Sequence, residues 1–131
     1  MHHGVPHHLA IGPEHVAGNG SLGRVFLLPG SDGRARRISE RFSKATTVPS
    51  DRQHNAYLGQ VDGQDGPVEV GTVATGMGCP SVDIIVTELI CLGARLLLRV
   101  GTSGSLQPSA VRAGSLVVAT AAVRDEGCSE R

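Results

Sequence analysis

The stretch RVFLLPGSDGRARRISERFSK, residues 24–44, decides the fold class because its hydrophobic pattern changes twice. Residues 24–28 form a short continuous apolar run, which is typical of a strand buried on both faces. Residues 29–34, PGSDGR, form a cluster of turn residues, and Ser31 or Asp32 is placed to cap a following helix. That helix carries an apolar stripe at helical spacing, formed by Ala35, Ile38 and Phe42. The stretch therefore predicts a strand, a glycine-rich loop and a helix in succession.

A second unit of the same kind follows at residues 68–94. Residues 68–76, VEVGTVATG, alternate in the manner of a half-buried strand that is interrupted at Gly71. The helix after it begins near Pro80, which is harmless in a first turn, and ends at Gly93 as a C-terminal cap. Its predicted apolar face consists of Val82, Ile85, Val86, Leu89 and Ile90.

Three further stretches complete the predicted architecture. Residues 56–63 alternate weakly, whereas residues 95–100 and 115–123 are continuous apolar runs, so all three are predicted strands. Strands alternate with helices, which indicates an α/β domain with a largely parallel or mixed buried sheet. Residues 1–23 are rich in His, Gly and Pro without a sustained period, and we expect an irregular N-terminal arm there, with the domain occupying residues 24–131.

Composition excludes several classes of function. A chain of 131 residues with 40% hydrophobic residues suits one domain with a moderate core. The formal net charge is zero, so no general basic field attracts a nucleic acid polymer. The sequence shows no charged-then-apolar leader pattern and no apolar run of membrane-spanning length, so we expect neither a leader nor a membrane span, and the three cysteines form no CxxC pair. We therefore expect a cytoplasmic protein with reduced thiols and no membrane partner.

Three loops share a design that is suited to anions. The loops at 29–34, 75–81 and 99–104 each follow a predicted strand and combine glycines with hydroxyl side chains or an arginine. Ligands of α/β sheets bind where such loops gather, and glycines let backbone N–H groups approach an anion. Arg99 ends an apolar strand, where a guanidinium needs a partner. That partner is either a carboxylate of the protein or an oxyanion held together with Arg34.

Two other signals are weaker. The stretch GNGSLG, residues 18–23, matches GxGxxG but precedes the first strand, so we do not expect a nucleotide site of the Rossmann type there. Histidines crowd the N-terminus without carboxylate or thiolate partners at fixed spacing, so no metal site is predicted. Those histidines are His2, His3, His7, His8 and His15.

Three segments together resemble one family. LLPGSDGRARRISE, ATGMGCPSVDIIVTELICLGA and LLLRVGTSGSLQPSAVRAGSLVVATAAVRDEG are similar to PGDPxRA, TGxGxPS and R-[IV]-G-[TS]-x-G-x-[IL]-x-P with its following strand. These are motifs of the nucleoside phosphorylases of the uridine phosphorylase and hexameric purine nucleoside phosphorylase type. The resemblance covers residues 7–129 and corresponds to the N-terminal half of such a domain. It implies a three-layer fold with a central mixed twisted sheet flanked by helices.

The resemblance also implies site residues. Phosphate is expected at Gly30, Arg34, Arg99 and Thr102, with Arg52 reaching into the phosphate site of a neighbouring subunit. The nucleoside is expected at Met77, Ser103 and Gly104, with His8 lent to the neighbour's ribose 5′-hydroxyl, or His7 if the register slips by one. No catalytic residue beyond Arg99 is identifiable in this segment.

The implied reaction is the phosphate-dependent cleavage of a nucleoside to free base and ribose 1-phosphate, the work of a pentosyltransferase. Phosphate is the co-substrate, no cofactor is implied, and the implied assembly is a homo-oligomer, a hexamer built from dimers. The ending AVRDEG favours uridine, with purine nucleosides as the alternative.

The chain departs from the family pattern in one loop and in length. Ser31 and Asp32 stand where the family has Asp and Pro. Family members also continue past position 131 into the segments that read the base and grip the ribose. We therefore expect this chain alone to be inactive, and a non-catalytic fragment is the alternative reading of its function.

Overall fold

The computed structural model of this chain describes residues 6–128, which form two units, one ending at Val100 and the other beginning at Gly101. Every helix and strand of the described residues lies in the first unit. The elements are, in chain order, α1 (Pro13–Val16), a 3₁₀ turn (Gly20–Leu22), β1 (Val25–Leu28), α2 (Asp32–Ser39), β2 (Ser43–Val48), β3 (Ala56–Gly63), β4 (Gly66–Val73), α3 (Gly78–Cys91) and β5 (Leu96–Arg99).

The five strands form one mixed sheet in the order β2-β3-β4-β1-β5. The strand β1 lies between β4 and β5 and runs parallel to both, whereas β2, β3 and β4 pair antiparallel. Parallel neighbours end at the same edge of a sheet, so the loops after β1, β4 and β5 start side by side. The α/β class with a mixed sheet is confirmed.

Two helices cover opposite faces of this sheet. On β3, Leu58 joins the main core with Ile85 and Leu89 of α3, whereas its neighbour Tyr57 packs with Ala35 of α2. Successive residues of a strand point to opposite faces, so α3 and α2 lie on different sides of the sheet. This arrangement gives the three layers that the family resemblance implies.

The C-terminus of α3 is built as the sequence predicts. Gly93 has a φ of 102°, a left-handed conformation that favours glycine. Its N–H donates to the Ile90 carbonyl at 2.9 Å, and the N–H of Ala94 donates to the Leu89 carbonyl at 2.9 Å. These two bonds form a Schellman motif, which turns the chain into β5. The predicted apolar face of α3 is confirmed at Ile85 and Leu89, whereas Ile90 is 57% exposed.

The segment before β1 differs from the irregular arm that the sequence indicates. Leu9, Ile11 and Val16 are each at most 4% exposed and belong to the main core cluster. The helix α1 and the 3₁₀ turn Gly20–Leu22 lie within the same segment. Apolar side chains separated by glycine and proline have no sequence period, yet they still gain free energy when they are buried. The described part of residues 1–23 therefore packs as part of the first unit.

Three strand predictions need correction. The strand β2 was not predicted, because its side chains are mostly polar and exposed, as suits the edge of a sheet. The interruption predicted at Gly71 is absent, since β4 pairs with β3 in continuous register from Gly66 to Val73. The strand predicted at residues 115–123 is absent as well, and Leu116, Val118 and Val123 are each at least 88% exposed. An apolar run forms a strand only where a neighbouring strand accepts its backbone hydrogen bonds, and none pairs with it within the described residues.

Candidate functional site

The loops after β1, β4 and β5 are tied together by backbone hydrogen bonds. The N–H of Thr75 donates to the Pro29 carbonyl at 2.9 Å, which joins the loop after β4 to the loop after β1. The N–H of Val100 donates to the Leu28 carbonyl at 3.1 Å, which joins the end of β5 to the end of β1. The carboxyl edge of the sheet therefore brings together the starts of all three glycine loops.

Arg99 is the charged group at this edge. Its Nη1 donates to the Leu28 carbonyl at 2.6 Å and to the Val100 carbonyl at 3.0 Å. Its Nη2 lies 3.4 Å from the point where a Cβ on Gly30 would stand. The described residues include no carboxylate in salt-bridge contact with this guanidinium. The sequence leaves two partners possible for Arg99, a carboxylate of the protein or an oxyanion. No such carboxylate is observed within residues 6–128.

Gly76 holds the loop after β4 in a conformation that only glycine fits. Its φ is 76°, and a Cβ there would collide with the Oγ of Ser81. Ser81 itself donates from Oγ to the Thr75 carbonyl at 2.5 Å. The carbonyl oxygen of Gly76 lies 3.7 Å from the Cβ position on Gly30. The backbone of Gly30 therefore lies close to both Arg99 and the loop after β4.

Asp32, the first residue of α2, ties the end of the loop after β1 to β3 and to the segment before it. Its Oδ2 accepts a hydrogen bond from the Tyr57 hydroxyl at 3.1 Å, and its Oδ1 accepts one from Asn55 Nδ2 at 3.1 Å. Ser31 occupies the N-cap position of α2, but its side chain makes no capping hydrogen bond. Burial raises the pKa of Tyr57, and the hydrogen bond and negative charge of Asp32 raise it further. The Asp that departs from the family pattern thus connects the loop to β3.

Arg99 is solvent-exposed, and so are the remaining residues that the resemblance assigns to this edge. Arg34 lies exposed in the first turn of α2. Met77 occupies the N-cap position of α3 and is 93% exposed. Thr102, Ser103 and Gly104 lie in the second unit, all exposed, where Ser103 and Gly104 line a cavity of about 910 Å³ formed by that unit alone. Their grouping with Arg99 stays a prediction.

A second place in the first unit brings His8 and Arg52 together. Both residues line a cavity of about 200 Å³, and His7 lines it as well. The Oγ of Ser50 donates to the His8 carbonyl at 2.7 Å and also accepts the N–H of Arg52 at 3.3 Å. The two residues expected to reach a neighbouring subunit therefore lie side by side, although they are far apart in the sequence.

Glu88 of α3 holds three consecutive residues that line this cavity, and sequence reasoning did not single it out. Its carboxylate accepts the N–H groups of His7, His8 and Leu9 at 2.9 to 3.1 Å and contacts Nδ1 of His8 at 2.7 Å. Burial acts to raise the pKa of Glu88, but these hydrogen bonds outweigh it, so the pKa lies below its ordinary value. The sequence places Glu88 on the polar face of a predicted helix, and no local pattern indicates a hydrogen-bond partner 80 residues away.

His54 also lies nearer to the edge than its sequence context suggests. Its Nδ1 is 2.8 Å from the Ala74 carbonyl, and its Cε1 is 3.8 Å from the Cβ position on Gly76. Within residues 6–128, no three His, Cys, Asp or Glu side chains are grouped to hold a metal ion, and no helix is long and apolar enough to cross a membrane. His2 and His3 lie outside the described residues.

Comparison with known proteins agrees with the three motifs. The sequence profile of the phosphorylase superfamily matches residues 24–131. The chain is 42% identical over 109 residues to the uridine phosphorylase of Treponema pallidum, covering 83% of this chain and 40% of that protein. It is 34% identical over 128 residues to the uridine phosphorylase of Thermococcus kodakarensis, covering 98% of this chain and 42% of that protein.

Solved structures give the same answer for the fold. The purine nucleoside phosphorylase of Toxoplasma gondii in complex with immucillin-H superimposes with a TM-score of 0.65 at 26% identity, covering 82% of this chain and 39% of that one. The chain thus spans about two fifths of the length of the relatives that it matches. Motifs, sheet topology and sequence similarity all agree, and the chain belongs to the phosphorylase superfamily, alongside the nucleoside phosphorylases.

Proposed function

We propose that the protein containing this chain is a nucleoside phosphorylase that cleaves uridine with inorganic phosphate. The products are uracil and ribose 1-phosphate, so the activity is that of a pentosyltransferase in nucleoside catabolism or salvage. The superfamily membership supports the reaction class, and the two quoted curated relatives, both named uridine phosphorylase, support uridine. Phosphate is the co-substrate, and the proposed reaction uses no cofactor.

The observation that carries the proposal is the position of Arg99 beside Gly30. One nitrogen of the guanidinium is occupied by the Leu28 and Val100 carbonyls, and the other lies against a glycine that has no side chain. A guanidinium is always protonated and presents N–H groups in a fixed fork that matches phosphate oxygens. We propose that an oxyanion binds the Nη2 side of Arg99, since no described carboxylate is in salt-bridge contact with this guanidinium.

The proposed chemistry needs phosphate to act as nucleophile and as a stabilising charge. An oxygen of phosphate forms a bond to the anomeric carbon while the bond from that carbon to the base nitrogen breaks, and the base leaves with that electron pair and takes up a proton. The sugar passes through an oxocarbenium-like state, as in glycoside cleavage. Arg99 would orient the phosphate, and the bound anion would stabilise the positive charge that develops on the sugar.

The His8 and Arg52 cavity supports the proposed assembly. Both residues lie at the surface of one cavity, His8 partly buried and Arg52 exposed, where a second subunit can reach them. We propose a homo-oligomer, with dimers assembled into a hexamer, in which each of these residues serves the neighbour's phosphate or nucleoside site. We further propose that the protein works in the cytoplasm.

The purine alternative is supported by the structural similarity to a purine nucleoside phosphorylase and by 34% identity to a guanosine phosphorylase over 91% of this chain. Competition between uridine and inosine for one preparation of enzyme decides between them. Higher kcat/KM for uridine supports the proposal, and higher kcat/KM for inosine replaces it with the purine reading.

Arg99→Ala tests the proposed phosphate site, and Arg95→Ala is the matched control. Arg95 lies exposed just before β5, and its Nη1 donates to the Ser21 carbonyl at 3.0 Å, so it is the same residue type four positions away. Calorimetry with inorganic phosphate should show a loss of about tenfold to a hundredfold in affinity for Arg99→Ala, the contribution of hydrogen bonds to a charged group. Equal affinity in both variants would contradict the proposal.

Turnover is measured separately in the complete gene product and in residues 1–131. We expect the complete product to release uracil from uridine only when phosphate is present, and the 131-residue chain to release none. Turnover by the 131-residue chain would refute the reading of it as a non-catalytic fragment. A complete product that cleaves no nucleoside would refute the proposed activity.

A further inference from the structure

The carboxylate of Glu88 gathers three consecutive backbone N–H groups and one side chain. Oε1 accepts the N–H of His7 at 2.9 Å and lies 2.7 Å from Nδ1 of His8, while Oε2 accepts the N–H of Leu9 at 3.0 Å. The N–H of His8 lies 3.1 Å from both oxygens. One side chain of α3 therefore fixes both the backbone of the N-terminal segment and the ring of His8.

The carboxylate of this contact is more buried than that of the other carboxylate–histidine pair of the described residues. The side chains of His8 and Glu88 are 28% and 15% exposed, whereas Glu14, beside His15, is 69% exposed. Exposed pairs contribute little because water and salt screen them. A carboxylate with several hydrogen bonds in a partly buried place is held in a defined geometry, so it can also define the geometry of its partner.

The chemistry of the pair decides which nitrogen of His8 carries the proton. An ionised carboxylate only accepts hydrogen bonds, so Nδ1 at 2.7 Å must be the donor. The low pKa of Glu88 keeps it ionised at neutral pH. In a neutral imidazole the other nitrogen, Nε2, is then an acceptor. No described residue is a hydrogen-bond partner of Nε2.

The His8 backbone is also held through its carbonyl group. Its carbonyl accepts the Oγ of Ser50 at 2.7 Å, and the N–H of Ser50 donates to Asn55 Oδ1 at 2.9 Å. Glu88 contacts the N–H groups and the ring, and Ser50 contacts the carbonyl only. The two tethers can therefore be removed one at a time, and only one of them touches the imidazole.

We propose that Glu88 is a positioning residue for His8, which sets the ring orientation and the Nδ1–H tautomer so that Nε2 faces the cavity shared with Arg52 as a hydrogen-bond acceptor. This inference depends on the proposed function only for the identity of the ligand that Nε2 contacts. That ligand is a hydroxyl group of a nucleoside sugar bound by a neighbouring subunit. Glu88 touches no substrate itself and acts through His8.

The test is the tautomer of His8 by ¹⁵N NMR of the whole chain without ligand, with the His8 signal assigned by its loss in His8→Asn. We expect Nδ1–H in the native chain and a shift to the Nε2–H tautomer in Glu88→Gln, which removes the charge and keeps the size. Ser50→Ala is the matched control, since it removes the other tether and should leave the tautomer unchanged. Nε2–H in the native chain would overturn the proposal even if Glu88→Gln failed to fold. So would an unchanged tautomer in Glu88→Gln, or equal changes in both variants.

Kinetics of the complete gene product separate this inference from the proposed function. Glu88→Gln should raise KM for uridine about tenfold, the worth of one hydrogen bond, and change KM for 5′-deoxyuridine little. Glu14→Gln is the control and should change neither value. A tautomer shift in a protein that cleaves no nucleoside would uphold the role of Glu88 and refute the proposed function. A tautomer shift with equal effects on both nucleosides would overturn the inferred ligand contact.

Discussion

The Nη2 atom of Arg99 lies 3.4 Å from the point where a Cβ on Gly30 would stand. The guanidinium is anchored by the carbonyls of Leu28 and Val100, so its position does not depend on a ligand. A cation that is already held in place costs less conformational entropy when it binds an anion. The absence of a side chain at Gly30 therefore leaves room next to a fixed positive charge.

Gly30→Ala should weaken phosphate binding without unfolding the chain. The added methyl group meets Arg99 Nη2 and the Gly76 carbonyl at ordinary contact distances, so it fits, but it occupies the space beside the cation. We expect a loss of about tenfold in phosphate affinity by calorimetry, the contribution of one charge-assisted hydrogen bond. Gly33→Ala in the first turn of α2 is the control, because nothing lies within 4 Å of its Cβ position. If both variants bind phosphate as the native chain does, Gly30 is not part of the site.

Gly71→Ala should destabilise the sheet. A Cβ there would stand 2.8 Å from Phe26 Cε1 and 3.1 Å from Leu58 Cδ2, and both side chains are buried in the main core. Overpacking of this kind costs about 1–3 kcal/mol of unfolding free energy. Urea unfolding of Gly71→Ala measures the loss, and Gly33→Ala should be neutral or stabilising by up to about 1 kcal/mol, since alanine favours a helix. Equal midpoints would mean that Phe26 has room to move.

Glu88 should make the chain sensitive to acid. Its pKa is lower in the folded chain than its ordinary value, so the ionised form is the one that folding favours. Its contribution to stability is therefore present above the ordinary carboxyl pKa of about 4.3 and is lost as pH falls through the lower folded pKa.

Urea unfolding of the native chain and of Glu88→Gln across this pH range tests the effect. At neutral pH we expect Glu88→Gln to lower the free energy of unfolding by about 2 kcal/mol, because hydrogen bonds to a charge are lost. The difference should shrink as pH falls below about 4. A difference that stays constant with pH would contradict the ionised contact with residues 7–9.

Tyr57 should have the opposite pH dependence. Burial and then Asp32 raise the pKa of its hydroxyl above the ordinary value of about 10. Its neutral form is favoured in the fold, so its contribution is full below that value and is lost as pH rises through the folded pKa. Tyr57→Phe should cost about 1 kcal/mol at neutral pH, because the hydroxyl donor to Asp32 is removed. The cost should narrow at alkaline pH in guanidinium or urea unfolding, and a cost that grows there would contradict the assignment.

Local patterns account for the elements that were predicted correctly. The continuous apolar run at residues 24–28, the turn cluster after it and the helical period of the apolar face of α3 are all local features, which depend on neighbours along the chain and on backbone geometry. Gly93 was identifiable as a cap for the same reason, since a left-handed residue must follow the helix end whatever packs around it. Motif order along the chain was enough to identify the family.

Long-range pairing accounts for the elements that were missed. The run at residues 115–123 has the composition of a strand, but a strand also needs a neighbour that accepts its hydrogen bonds, which composition does not specify. The polar strand β2 is the reverse case, since pairing with β3 makes it a strand despite its exposed side chains. Leu9, Ile11 and Val16 have no period and are buried nonetheless, because the sheet and α3 offer them a core.

The sequence by itself determined the α/β class, the glycine loops and the identity of Arg99 as the charge at a strand end, because each follows from neighbours along the chain. Tertiary structure alone decided that Arg99 is anchored by carbonyls beside Gly30, that Asp32 joins Tyr57, and that Glu88 holds His8. The physical reason is that a hydrogen bond depends on distance in space, and residues 80 positions apart carry no local signal of their meeting.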